Sequence, residues 1–200
     1  MRTHKQAWYI INGITLYRVI AAPFLLLLLF NGYYQIFKWL LAVSFFTDLI
    51  DGYLARKFEV TSVMGTRLDS IGDDLTVLAA TVGLFVINPA FIKAHAYELV
   101  ALFLVFIVET SYAFYRYGRM TNFHTYLAKL AAFLQGVFLL VAIVFDAPNL
   151  VLFYTAAGIT LIQLLEEIII TAVLPDWQTN VKGLYWVLKK RQTEKQNNMH

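Results

Sequence analysis

The chain of 200 residues is 60% hydrophobic and only 14% charged, with a mean hydropathy of +0.63, whereas a soluble domain is nearer half apolar and about a quarter charged. An integral membrane protein is expected, with too little chain left over for a long soluble domain. The lack of any cysteine excludes disulfides, thiolate metal ligands and cysteine nucleophiles, and the net charge of +3 reads as topology and contact with anionic lipid rather than as nucleic-acid binding.

A helix that crosses hydrocarbon needs about 20 apolar residues. Six such stretches follow one another, at residues 14–30, 34–54, 68–87, 97–115, 126–145 and 150–174. The expected fold is therefore all-α: a single membrane domain over residues 1–200, with a juxtamembrane segment at 1–12, a six-helix core at 13–175 and a basic cytoplasmic tail at 176–200. The first stretch follows Arg2 and Lys5 and contains "IAAP", but five further spans make it a retained helix rather than a cleaved signal. Pro23 inside it is tolerable if neighbouring helices satisfy the freed carbonyl. "NG" at Asn31, "NPA" at Asn88 and "DAPN" at Asp146 are turn signals between stretches. At the ends, "HKQAWYIING" and "VKGLYWVLKKRQ" mix aromatic and basic residues as interfacial helices do; a soluble tail with a snorkelling anchor is the plainer alternative.

Of the sixteen Lys and Arg residues, fourteen fall at the N-terminus with the start of the first helix (Arg2, Lys5, Arg18), the second connection (Arg56, Lys57, Arg67), the fourth (Arg116, Arg119, Lys129) and the tail (Lys182, Lys189, Lys190, Arg191, Lys195). Lys38 and Lys93 remain for the opposite face. The positive-inside rule puts both termini and the even-numbered connections in the cytoplasm.

Between Thr47 and Asp74 lie six of the chain's thirteen acidic residues. Helical residues three, four, seven and eight apart share a face, so Asp48, Asp51, Gly52, Ala55 and Arg56 form one stripe, and Gly65, Asp69 and Asp73 a second. The connection between them is short, so the two helices are antiparallel neighbours and the carboxylates converge. Packed together they repel one another and suffer desolvation unless a cation compensates. Oxygen-only ligands suit a hard divalent ion such as Mg²⁺, Mn²⁺ or Ca²⁺, and Arg56 is placed to meet a phosphate. The substrate expected from this pattern is phosphorylated, with a pyrophosphate the natural choice.

Written out, Asp48-x2-Asp51-Gly52-x2-Ala55-Arg56-x8-Gly65-x3-Asp69-x3-Asp73 resembles the complete signature of the CDP-alcohol phosphotransferase family. "NGITLYRVIAAP" is similar to the opening pattern of many bacterial members. The resemblance implies a phospholipid biosynthesis enzyme of the bacterial cell membrane with a cytoplasm-facing site. There Asp48, Asp51, Asp69 and Asp73 bind two divalent cations, Mg²⁺ or Mn²⁺, and Asp73 is the general base. Gly52 and Arg56 hold the nucleotide with Asp51 and Gly65 beside them, and Ser62 falls where a hydroxyl often contacts it. The implied reaction transfers phosphatidyl from CDP-diacylglycerol to a small alcohol and releases CMP. A homodimer is implied as well.

For the acceptor, Glu109-x6-Arg116 and Lys129 with Gln135 six positions on resemble phosphatidylglycerophosphate synthases, and Arg116, Arg119 and Lys129 would suit an acceptor bearing its own phosphate. Topology-setting charges are the plainer account of them. Ser70, Asp74 and Val108 depart from that subgroup, and "LDS" is closer to members using inositol phosphate or serine. The expected acceptor is a phosphorylated polyol, inositol phosphate or glycerol 3-phosphate, with serine and phosphatidylglycerol as alternatives. Glu166 and Glu167 either pair with cations of the fourth and fifth helices or mark the inner end of the sixth; His124 reads as an interfacial residue, with a contact to substrate phosphate as the alternative.

A divalent-cation transporter or channel also clusters carboxylates in a membrane. An ion path needs polar groups across the whole bilayer, however, and the outer halves of the first, third and fifth stretches are apolar.

Overall fold

The computed structural model describes residues 2–57, 63–121, 123–179 and 181–197, with side chains at all of these except 2–12, 14–15, 18, 48–49, 51–57, 63–70 and 194–197. The described residues are helical, without strands: α1 (Arg2–Phe30), α2 (Tyr34–Lys57), α3 (Val63–Ile87), α4 (Pro89–Ala94), α5 (Ala96–Tyr117), α6 (Tyr126–Val144), α7 (Leu150–Val173) and α8 (Leu184–Asn197). Six of these match the six apolar stretches, most ends agreeing within a few residues. Among the described residues α5, α6 and α7 are long and apolar enough to cross a membrane, and α1 carries a shorter apolar run, Val19–Phe30.

Three features differ from expectation, the first being that α3 begins at Val63, five residues before its apolar stretch at 68. Helix α1 begins at Arg2 rather than near residue 13 and runs unbroken through Asn12-Gly13, a pair that costs helix stability but that the apolar run downstream carries along once it nucleates the helix. The "NPA" turn is followed at once by α4, whose first residue is Pro89; proline's fixed φ and missing N–H suit the first helical position.

The chain forms two compact units, Met1–Lys93 with Leu139–Pro148, and Ala94–Phe138 with Asn149–His200. In the first, α1 packs against α2 and α3, which also touch each other. Its core is built by Ala22, Leu25 and Leu29 of α1, Phe37 and Leu41 of α2, and Ala79, Ala80 and Leu84 of α3. The close approach of two helices depends on Gly83: a Cβ there would stand 2.6 Å from Cζ of the fully buried Phe37 ring. Lys38, 5% exposed, is ion-paired with Asp146, so the ammonium buried at the start of α2 is neutralised by the loop after α6. Asp146 takes φ 54°, a left-handed conformation that Asp tolerates better than most residues.

In the second unit, α5 runs along α7 and α8 packs on α7. Phe123, Ile170, Leu174, Val181 and Val187 form its buried apolar cluster. The hydroxyl of Tyr117 lies 3.0 Å from both the Thr171 and Leu174 carbonyls, and Arg116 Nη2 donates to Leu174 O at 3.0 Å. These side chains of α5 serve carbonyls that α7 leaves unpaired where it ends. At the other end of α7 the Asn149 side chain accepts from Leu152 N–H at 3.0 Å, an N-cap. Gln135 Nε2 donates to Thr160 Oγ1 at 2.6 Å, joining α6 to α7.

Candidate active site

The buried face of α2 includes Phe37, Leu41 and Ser44, spaced by four and three, with Lys38 and Ala42 beside them. Continuing that register along the unbroken helix gives positions 48, 51 and 55, so Asp48 and Asp51 follow directly on the face that α2 presents to the core. On α3 the buried residues Thr76, Ala80 and Leu84 lie seven, eleven and fifteen positions after Asp69. The same register holds Asp73, three before Thr76 and four after Asp69. Each core-facing stripe therefore changes from apolar residues to carboxylates towards the ends that residues 58–62 join.

The change is graded. Ser44, one turn before Asp48, is a buried hydroxyl with no hydrogen-bond partner among the described residues, and buried Thr76 donates to the Gly72 carbonyl at 2.8 Å. Asp73 is half-buried and Asp74 exposed. For Asp48, Asp51, Gly52, Arg56, Gly65 and Asp69 the structure describes helix and register, while Ser62 lies outside the described residues.

Among the described residues no three His, Asp or Glu side chains form a metal-binding group, and Asp73 is the one motif aspartate whose side chain is among them. The donor set nonetheless fits a hard divalent ion: four carboxylates on two helices that touch each other, with no sulfur or imidazole in the motif.

The second unit holds the residues expected at the acceptor. Arg116 is in the last turn of α5 and is engaged with the end of α7. The Arg119 guanidinium carbon lies 4.9 Å from the centre of the Trp177 ring, whose indole N–H donates to Met120 O at 3.1 Å. Lys129, near the start of α6, is exposed with Nζ 5.9 Å from the Tyr126 ring centre. His124 is exposed with φ 52°. Gln135 is committed to Thr160.

Of the two arrangements expected for Glu166 and Glu167, pairing with cations is not seen among the described residues: Glu167 meets a threonine hydroxyl and Glu166 a backbone N–H, and both lie in the last eight residues of α7. Thr121 Oγ1 lies 2.7 Å from Glu109 Oε1 and 3.3 Å from Glu167 Oε2, joining two buried carboxyl groups from α5 and α7. Thr110 Oγ1 lies 3.1 Å from Glu109 Oε2. Glu166 Oε1 accepts the Leu184 N–H at 2.9 Å, placing an acidic group on the first residue of α8, where the helix dipole favours it. Thr121 has no motif to announce it; the available signal was that two acids inside apolar helices need partners.

Three relatives show partial similarity. A protein of Schizosaccharomyces pombe named cardiolipin synthase (CMP-forming) / mitochondrial hydrolase fusion protein is 36% identical over 75 residues, 38% of this chain and 13% of its own length. CDP-diacylglycerol–glycerol-3-phosphate 3-phosphatidyltransferase of Pseudomonas fluorescens is 38% identical over 74 residues, 36% of this chain and 38% of the relative. The protein of the same name in Sodalis glossinidius is 34% identical over 76 residues, 34% of this chain and 40% of the relative. The chain thus spans well under two thirds of each relative's length. No solved structure matches it. The family model for CDP-alcohol phosphatidyltransferase, however, matches residues 8–173, from α1 to the end of α7 and across both units: the chain belongs to the CDP-alcohol phosphatidyltransferase family.

Proposed function

We propose that the chain is an integral membrane enzyme that transfers a phosphatidyl group from CDP-diacylglycerol to the hydroxyl of a small alcohol, releasing CMP. The observation that carries the proposal is the placement of the four aspartates on α2 and α3, where two core-facing stripes turn into carboxylates at adjoining ends. The family match through both units supports treating them as one catalytic domain. In this reading α1, α2, α3, α5, α6 and α7 are six spans, with the motif and both termini on the cytoplasmic side where the basic residues concentrate. The donor's acyl chains then stay in the bilayer while its nucleotide reaches the cytoplasm.

Asp48, Asp51, Asp69 and Asp73 would hold two divalent ions, Mg²⁺ or Mn²⁺, which when bound neutralise charge on the pyrophosphate and on the departing CMP. Arg56 contributes a guanidinium to a phosphate, with Asp51, Gly52, Ser62 and Gly65 beside the nucleotide. Asp73 takes the proton of the acceptor hydroxyl. The acceptor oxygen attacks the lipid-bearing β-phosphorus, the phosphorus–oxygen bond to CMP breaks, and CMP leaves with the bonding electrons. With no cysteine in the chain and no Ser-His arrangement beside the motif, direct transfer is favoured over a covalent enzyme intermediate.

The acceptor is a phosphorylated polyol. The names of the Pseudomonas fluorescens and Sodalis glossinidius relatives put glycerol 3-phosphate ahead of inositol phosphate, and Arg116, Arg119 and Lys129 supply cations for its phosphate. The Schizosaccharomyces pombe relative, named a cardiolipin synthase, favours phosphatidylglycerol as the second reading. The test is to incubate purified protein with CDP-diacylglycerol, Mg²⁺ and each candidate acceptor and to identify the lipid product by mass. A phosphatidylglycerophosphate product supports the first reading and cardiolipin the second; a product with serine alone contradicts both.

A further inference from the structure

In the second unit a cavity of about 590 Å³ opens where α7 ends, between residues 172–176, 178–179 and 181–182 and α8. Its lining carries four cations, Arg116, Lys182, Lys190 and Arg191, against a single carboxylate, Asp176. One surface is apolar: Val187 is buried in the cluster that fixes α8 to α7, and Trp186 borders the cavity. The volume is that of a small-ligand pocket, within the roughly 300–1,000 Å³ usual for one.

A cavity with an excess of positive charge selects an anion, and multidentate guanidinium and ammonium donors suit phosphate oxygens. Helix α7 is one of the helices able to cross a membrane, and the cavity begins at its last residues, where a span meets the headgroups. The carbonyls at that end would repel an anion, but Arg116 and Tyr117 hydrogen-bond to Leu174 O. Arg116 keeps further N–H donors beyond the one used. Tyr185 and Trp186 are exposed at the start of α8, the residue types that settle at a membrane interface, next to Lys189, Lys190 and Arg191. Basic pockets at such positions take anionic headgroups.

We infer that this cavity binds the phosphate headgroup of an anionic phospholipid, with α8 lying on the lipid surface beside it. The inference shares Arg116 with the acceptor side of the transferase reading but is argued from the cavity's own lining, and its test uses Lys182 and Arg191, which that reading does not employ.

The full chain in neutral-detergent micelles, with EDTA present so that no metal-dependent phosphate binding interferes, is titrated calorimetrically with dihexanoyl phosphatidic acid, dihexanoyl phosphatidylcholine and inorganic phosphate. Phosphatidic acid is expected to bind at least about tenfold more tightly than either of the others, and more weakly as salt rises. Replacing Lys182→Gln and Arg191→Gln together should weaken it by about tenfold or more, in keeping with the loss of charge-assisted hydrogen bonds. The charge-preserving pair Lys182→Arg and Arg191→Lys, and the remote Lys93→Gln, should retain affinity. Equal affinity in the charge-removing variant would overturn the inference. So would inorganic phosphate binding as tightly as the lipid, which would make this a site for a soluble phosphate, or equal loss of affinity in the charge-preserving pair, which would make the effect one of folding.

Discussion

Asp73 carries the most demanding role of any residue in the proposed reaction. It is half-buried, three positions before the buried Thr76, on a stripe that belongs to the core. Asp73→Asn preserves shape and removes the proton acceptor, so transfer should fall by about 10²-fold or more, the scale of a lost general base, while the protein still elutes and melts as the wild type does. CMP release and melting, measured on the same preparation, test this together. Gly83 sets a steric requirement. Gly83→Val would drive a branched side chain into the Phe37 ring, and overpacking of this kind costs about 1–3 kcal/mol. The double variant with Phe37→Ala should recover part of that loss in a detergent melting experiment; no recovery would place the strain elsewhere.

At the scale of elements, apolar runs marked five of the six long helices to within a few residues at most ends, because hydrocarbon-length runs bounded by Asn-Gly, Asn-Pro and Asp-Ala-Pro have few alternative structures. Helix α3 starts at Val63, before its apolar run at residue 68, and α1 extends back to Arg2; polar turns of helix leave no trace in hydropathy. The caps of α7 were also illegible. Tyr117 and Leu174 are 57 residues apart, and local spacing does not pair such residues. Tyr117→Phe removes the hydroxyl shared by two terminal carbonyls and should cost about 1 kcal/mol, with α7 still helical by circular dichroism. Thr121→Val should cost more, about 1–3 kcal/mol, since buried Glu109 and Glu167 would both lose a partner.

For the molecule as a whole, the acidic motif was readable because its chemistry is local: two helix faces and one connection contain all four carboxylates. The packing of the acceptor candidates was not, because they come from an α5 end, a loop and an α6 start, and their neighbours are distant in sequence: Leu174 for Arg116, Trp177 for Arg119, Thr160 for Gln135. The Glu109–Thr121–Glu167 connection likewise exists only once α5 and α7 are packed. If the four aspartates act by holding divalent ions, chelation should stop transfer completely and added Mg²⁺ or Mn²⁺ should restore it, with no change in helix content in between. The most direct measurement is acceptor-dependent release of CMP from CDP-diacylglycerol by the purified chain with Mg²⁺, comparing wild type with Asp73→Asn across glycerol 3-phosphate, inositol 1-phosphate, phosphatidylglycerol and serine. Release with a phosphorylated acceptor or phosphatidylglycerol, absent from the variant, is the predicted result; no release with any acceptor, or equal release by the variant, would contradict the account.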